Sequence, residues 1–182
     1  QSARFQVRMP FRAATALVTV EREGVIDARV VNLSGTEPVI ELPIDARWAP
    51  NVFVSALVVR GRVGGVQPTA LVDLGRPAFK LGIAEVRVGW RAHQLAVRVA
   101  SDRAVYKTRE RARVSISVRG PDGAAPPHGS EVAVAAVDEG LLELAPNPSW
   151  ALLDAMMRRR GYGVETATAQ GHVVGKRHFG LK

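Results

Sequence analysis

The chain has 182 residues, 47% of them apolar and 23% charged, which is the composition of a packed globular protein with room for one large β domain or two small ones. Cysteine is absent, which excludes a disulfide framework, a thiolate nucleophile and a Cys-ligated metal. The net charge of +8 comes from 25 basic against 17 acidic residues, mostly arginines scattered through an Ala-, Gly- and Val-rich chain, so it reads as coding bias rather than as a nucleic-acid footprint.

From the N-terminus, Phe5 to Met9 alternates apolar and polar residues and stops at Pro10, as a half-buried strand does. Gln1-Ser2-Ala3-Arg4-Phe5 opens with that alternation already under way, as expected of a segment cut from a longer chain whose export signal lies elsewhere. Leu17 to Val20 and Val25 to Leu33 form a predicted hairpin, with Gly24 as the turn residue at positive φ. Ser34 to Pro38 is a turn, and Val39 to Ile44 is a short strand that Pro43 assigns to an edge. Asn51 to Val59 is longer, more apolar and therefore central, and the Gly- and Pro-rich Gly61 to Pro77 is a long loop.

Alternation resumes from Ile83 through Val86, Val88 and Trp90, then through Leu95, Val97 and Val99. Arg113 to Val118 and Glu131 to Leu144 are two further predicted strands, separated by turn residues from Gly120 to Gly129. After Ala145-Pro146-Asn147-Pro148, Ser149 is the expected N-cap of a helix over Trp150 to Arg160, with Trp150, Leu153 and Met157 on one face and Gly161 ending it. Tyr162 onward has no sustained period, so it is either flexible or held by contacts elsewhere.

Strands at this spacing without intervening helices predict an all-β protein of immunoglobulin-like antiparallel sandwiches, with a short C-terminal helix and an irregular tail. No catalytic, cofactor-binding or metal-binding residue is expected. His93, His128, His172 and His178 lie far apart and lack partners at ligand spacing. Asp138-Glu139 would point to opposite faces of a strand, which leaves a turn or hydrogen-bonding role at its end. Ser149 has no neighbouring base, and Gly61-Arg62-Val63-Gly64-Gly65 is too irregular for a phosphate cradle. Aromatics at 5% leave little to stack on a small-molecule ligand, and Arg158-Arg159-Arg160 at a helix C-terminus complements the helix dipole without any partner.

Glu131-Val132-Ala133-Val134-Ala135-Ala136-Val137-Asp138-Glu139-Gly140-Leu141-Leu142 resembles the strand that precedes the bait region in the alpha-2-macroglobulin and complement family. The stretches Ala49 to Gly61, Gln67 to Gly75, and Ser149 through Met157 to Lys176-Arg177-His178 resemble bacterial members, so the likeness covers nearly the whole chain. It implies macroglobulin-like sandwiches, incomplete at both ends: residues 1–90 lacking a first strand, 91–144 holding the opening strands of the next domain, and 145–182 starting the bait as a short helix and flexible tail.

The resemblance further implies a non-enzymatic segment of an exported protease inhibitor, periplasmic or extracytoplasmic, with a membrane-anchored lipoprotein as one form of the parent. Its partners would be proteases, the remaining domains of the parent and other cell-envelope proteins, with no cofactor, small-molecule ligand or nucleic acid. Bait cleavage would trigger collapse around the protease. The Cys-x-Glu-Gln motif of thioester-bearing relatives is not in this chain, and covalent capture stays open. Candidate cleavage sites for a trypsin-like enzyme are Arg158, Arg159, Arg160, Lys176 and Arg177. The rival reading is a non-inhibitory envelope adhesion module of tandem sandwiches that binds through an edge strand.

Overall fold

A computed structural model describes residues 1–69 and 71–169. The chain forms two compact units. One holds residues 1–88 together with residues 159–169, and the other holds residues 89–158.

In the first unit, β1 (Ser2–Gln6) pairs antiparallel with β4 (Val39–Pro43). The second sheet has the order β3-β2-β5-β6, from β2 (Ala13–Glu21), β3 (Val25–Ser34), β5 (Asn51–Arg60) and β6 (Ala78–Arg87). The alternation in the sequence explains which face is buried. Ala16, Val18 and Val20 of β2 stand opposite Val58, Ala56 and Val54 of β5, and they join Ile40 and Leu42 of β4 in one sandwich-like core. Phe11, Leu33, Trp48, Val52 and Val88 complete it. Full burial of a valine contributes about 1.5–3 kcal/mol, so many small residues here do the work of a few large ones.

The expected central strand is β5, flanked by β2 and β6, and Pro43 closes the edge strand β4. The β2–β3 hairpin forms as well, but without Gly24 at positive φ. The register shifts at Val20/Glu21, and positive φ appears at Gly35 after β3.

In the second unit, β7 (Ala96–Ser101) pairs antiparallel with β8 (Val114–Arg119). Asp102 pins the loop between them, its carboxylate accepting from the Arg113 amide at 3.0 Å and from the Tyr106 hydroxyl. Val97, Val99, Val114 and Ile116 line one face of this hairpin and are exposed.

The strand expected over Glu131 to Leu144 does not form. Among the described residues, 131–138 have no ladder partner, and Glu139–Leu144 is α1, started by Asp138, whose carboxylate accepts from the Gly140 amide at 2.9 Å. An alternating run becomes a strand only where another strand receives its hydrogen bonds, and Asp followed by a leucine-rich turn offers the backbone a helix instead.

The helix expected over Trp150 to Arg160 is also shorter. A 3-10 turn at Pro148–Trp150 is capped by Asn147 rather than Ser149, and α2 covers only Leu152–Met156. Leu153 and Met157 are half-buried, and Arg158, Arg159 and Arg160 lie beyond the helix rather than in its last turn, Arg159 and Arg160 pairing with the Glu85 and Glu23 carboxylates instead.

Candidate functional site

On the outer face of the four-stranded sheet, Glu21 of β2, Phe53 of β5 and Glu85 of β6 stand in one cross-strand row, with Asn51 two residues before Phe53. Strand alternation puts all four on the same face. Polar residues at such positions are normally solvated, yet Asn51 is 1% exposed and Glu21 is 2% exposed. What covers them is the chain itself, returning as residues 159–163.

Arg159 makes a two-pronged pair with Glu85, Nε to Oε1 and Nη2 to Oε2, each at 2.8 Å. Asn51 then treats residue 160 as a neighbouring strand would. Its Oδ1 accepts from the Arg160 amide at 2.8 Å and its Nδ2 donates to the Arg160 carbonyl at 2.9 Å. The Arg160 guanidinium reaches Glu23 at 3.2 Å. Tyr162 sets its ring edge-on to Phe53, with centroids 5.1 Å apart, and its hydroxyl donates to Glu21 at 2.8 Å. Finally the Gly163 amide donates to the Arg22 carbonyl at 3.2 Å.

The electrostatics follow from these contacts. The hydrogen bonds from Arg159 hold the Glu85 carboxyl below its ordinary range, against the opposing effect of burial. Glu23 is lowered chiefly by Arg22, with Arg160 as a further positive neighbour. Burial pushes the Tyr162 hydroxyl up, and its bond to the Glu21 carboxylate adds to that.

Of the candidate cleavage sites, Arg159 and Arg160 are therefore brought onto the sheet. Arg158 is exposed and precedes the docked segment, and Lys176 and Arg177 lie outside the described residues. Of the alternatives for the stretch from Tyr162 onward, flexible or held elsewhere, Tyr162 and Gly163 are held. Sequence reasoning missed Glu21, Glu23, Asn51, Phe53 and Glu85 as a group. Among the described residues, no set of three His, Asp or Glu side chains is placed to hold a metal ion.

Residues 1–144 match the family model of the alpha-2-macroglobulin bait region domain. The chain belongs to the alpha-2-macroglobulin family. The match contains every residue of the cradle under the docked segment and stops before the segment itself. No curated protein matches the chain significantly.

Proposed function

We propose that this chain is the scaffold and the first part of the sacrificial segment of a bacterial alpha-2-macroglobulin-like protease inhibitor. Membership of the bait region family carries this reading. Residues 1–144 serve as scaffold, residues 145–182 as the start of the bait, and the chain itself performs no chemistry.

The contrast between the two regions supports this assignment. A protease must hold several residues of its substrate in an extended form, and the ladders of β2, β5 and β6 withhold their backbones until the sheet opens. The stretch from Ala145 to Met157 has only a 3-10 turn and α2, with Trp150, Leu152 and Met156 exposed. The exposed apolar face of β7 and β8 supports the remaining domains of the parent as a partner, since a two-stranded hairpin is marginal alone. Proteases are met outside the cytoplasm in this reading, with the parent exported or anchored as a lipoprotein.

The full-length parent is incubated with a trypsin-like protease and assayed against a large protein substrate and a small peptide substrate. Trapping predicts loss of activity on the large substrate with activity on the small one retained. A parent that is cut but leaves both activities unchanged contradicts inhibition and supports the adhesion reading.

A further inference from the structure

We infer that the outer face of the four-stranded sheet carries a peptide-binding cradle, formed by Glu21, Glu23, Asn51, Phe53 and Glu85, that recognises an Arg-Arg-Gly-Tyr-Gly segment and is filled in cis by residues 159–163. The inference goes beyond the role of the segment as substrate, because it makes the same residues a ligand.

The contacts recognise the segment in four different ways, and each comes from a different feature of the cradle. Glu85 reads a guanidinium through parallel hydrogen bonds, a geometry that lysine cannot reproduce. Asn51 reads backbone, pairing with both the amide and the carbonyl of residue 160, which fixes the register of the segment whatever its side chains are. Phe53 and Glu21 together read a phenol, one through the ring and the other through the hydroxyl. Arg22 favours a small residue at 163, since a Cβ there would stand 3.3 Å from the Arg22 carbonyl oxygen and push the two backbones slightly apart.

These contacts span 74 to 141 residues of sequence, so chain proximity does not bring them about. Filling the cradle completes its hydrogen bonding: Arg160 joins Glu85 as a partner of Asn51, and the Tyr162 hydroxyl joins that of Thr19 on Glu21. All the contacts lie on the C-terminal side of Arg158, where the chain passes back from the second unit to the first. A cut anywhere in 89–158 therefore removes none of these contacts and leaves the segment held on the sheet by them alone, a consequence that rests on the bait reading for its biological use.

The test uses the full chain carrying Arg159→Ala, Arg160→Pro, Tyr162→Ala and Gly163→Val, which removes the guanidinium pairs, the Arg160 amide, the phenol and the close seat of Gly163 on Arg22. It is titrated with acetylated, amidated Arg-Arg-Gly-Tyr-Gly, and the amide signals of residues 21, 51, 53 and 85 are followed by NMR. Saturable shifts are expected there, and adding Glu85→Gln with Asn51→Ala should weaken binding by about tenfold. The unaltered chain, its cradle filled, should respond at least about fivefold more weakly.

No saturable shift in a variant that keeps the sheet signals of the native chain would overturn the inference, as would binding indifferent to Glu85→Gln and Asn51→Ala. Should the emptied variant lose its fold, Glu85→Gln in the otherwise native chain decides the matter. Exchange of the Gly163 amide should quicken by about fivefold, and unchanged exchange refutes the cradle. The titration contains no protease, so a parent that fails to inhibit leaves its outcome unaffected.

Discussion

Asn51 and Arg160 are joined as two strands are joined, amide to oxygen and carbonyl to nitrogen at 2.8 and 2.9 Å, although 109 residues separate them. A side-chain carboxamide thus stands in for the peptide group of an additional strand. Asn51→Ala removes both bonds and leaves the Arg160 backbone without them, and it is expected to destabilise docking by about 1–3 kcal/mol. Asn51→Asp keeps the acceptor but sets a carboxylate oxygen against the Arg160 carbonyl and Glu85 Oε1, so it should disrupt docking at least as much as Ala. Amide exchange at Arg160 and Gly163, compared with exchange in β5, measures the effect separately from global unfolding.

Docking should have a pH window with carboxylate and phenol limits. The Glu85 carboxyl lies below its ordinary value of 4.5, so its contribution is complete above that value and is lost as pH falls through the lower value of the docked state. The Tyr162 hydroxyl lies above its ordinary value of 10.0, so its contribution is complete below that and is lost as pH rises through the higher value. NMR shifts of the Phe53 and Tyr162 rings across pH should show a plateau between these limits. Added salt should narrow the plateau at the acid end, because the Arg159–Glu85 pair is partly exposed.

The glycines on either side of Tyr162 differ in what surrounds them. A Cβ at Gly163 meets the Arg22 carbonyl oxygen at 3.3 Å, whereas one at Gly161 meets nothing within 4 Å. Gly163→Val is expected to lift the end of the segment and quicken exchange at Tyr162 and Gly163 several-fold. Gly161→Ala should leave that exchange within about twofold of the native rate, since a surface change without contacts is near neutral.

Much of the sandwich could be read from alternation. Val18 and Val20 announce a buried face of β2, and the apolar run from Val52 to Val58 announces the strand that lies between two others. Alternation failed where the described residues offer no partner strand, so the run through Val132, Val134 and Val137 is exposed and ends in α1. It was also silent about docking. Tyr162 belongs to a stretch without a period, and its partner Glu21 ends a strand 141 residues earlier, a distance no local pattern spans. A signal was present in Glu21 and Asn51, polar residues within apolar strands, which demand a partner when buried but do not say which.

A chain nicked once between 145 and 158 should stay in one piece in gel filtration, because the docked segment survives the cut. With Glu85→Gln and Asn51→Ala together, the C-terminal product should separate. Co-elution of the products in both cases would mean that other contacts hold them.

The bait reading is tested most directly by timed digestion of the full-length parent with trypsin-like and chymotrypsin-like proteases, followed by intact-mass analysis. Exposed Trp150, Leu152, Met156 and Arg158 are available for early cutting, Arg159 and Arg160 are held on the sheet, and the candidate sites Lys176 and Arg177 lie outside the described residues. The earliest cuts are expected within 145–182, with bonds inside 159–163 cut later than their neighbours and sooner in Glu85→Gln. An early cut at Arg22, Arg98 or Arg113 with residues 145–182 still attached would contradict the assignment of this segment as bait.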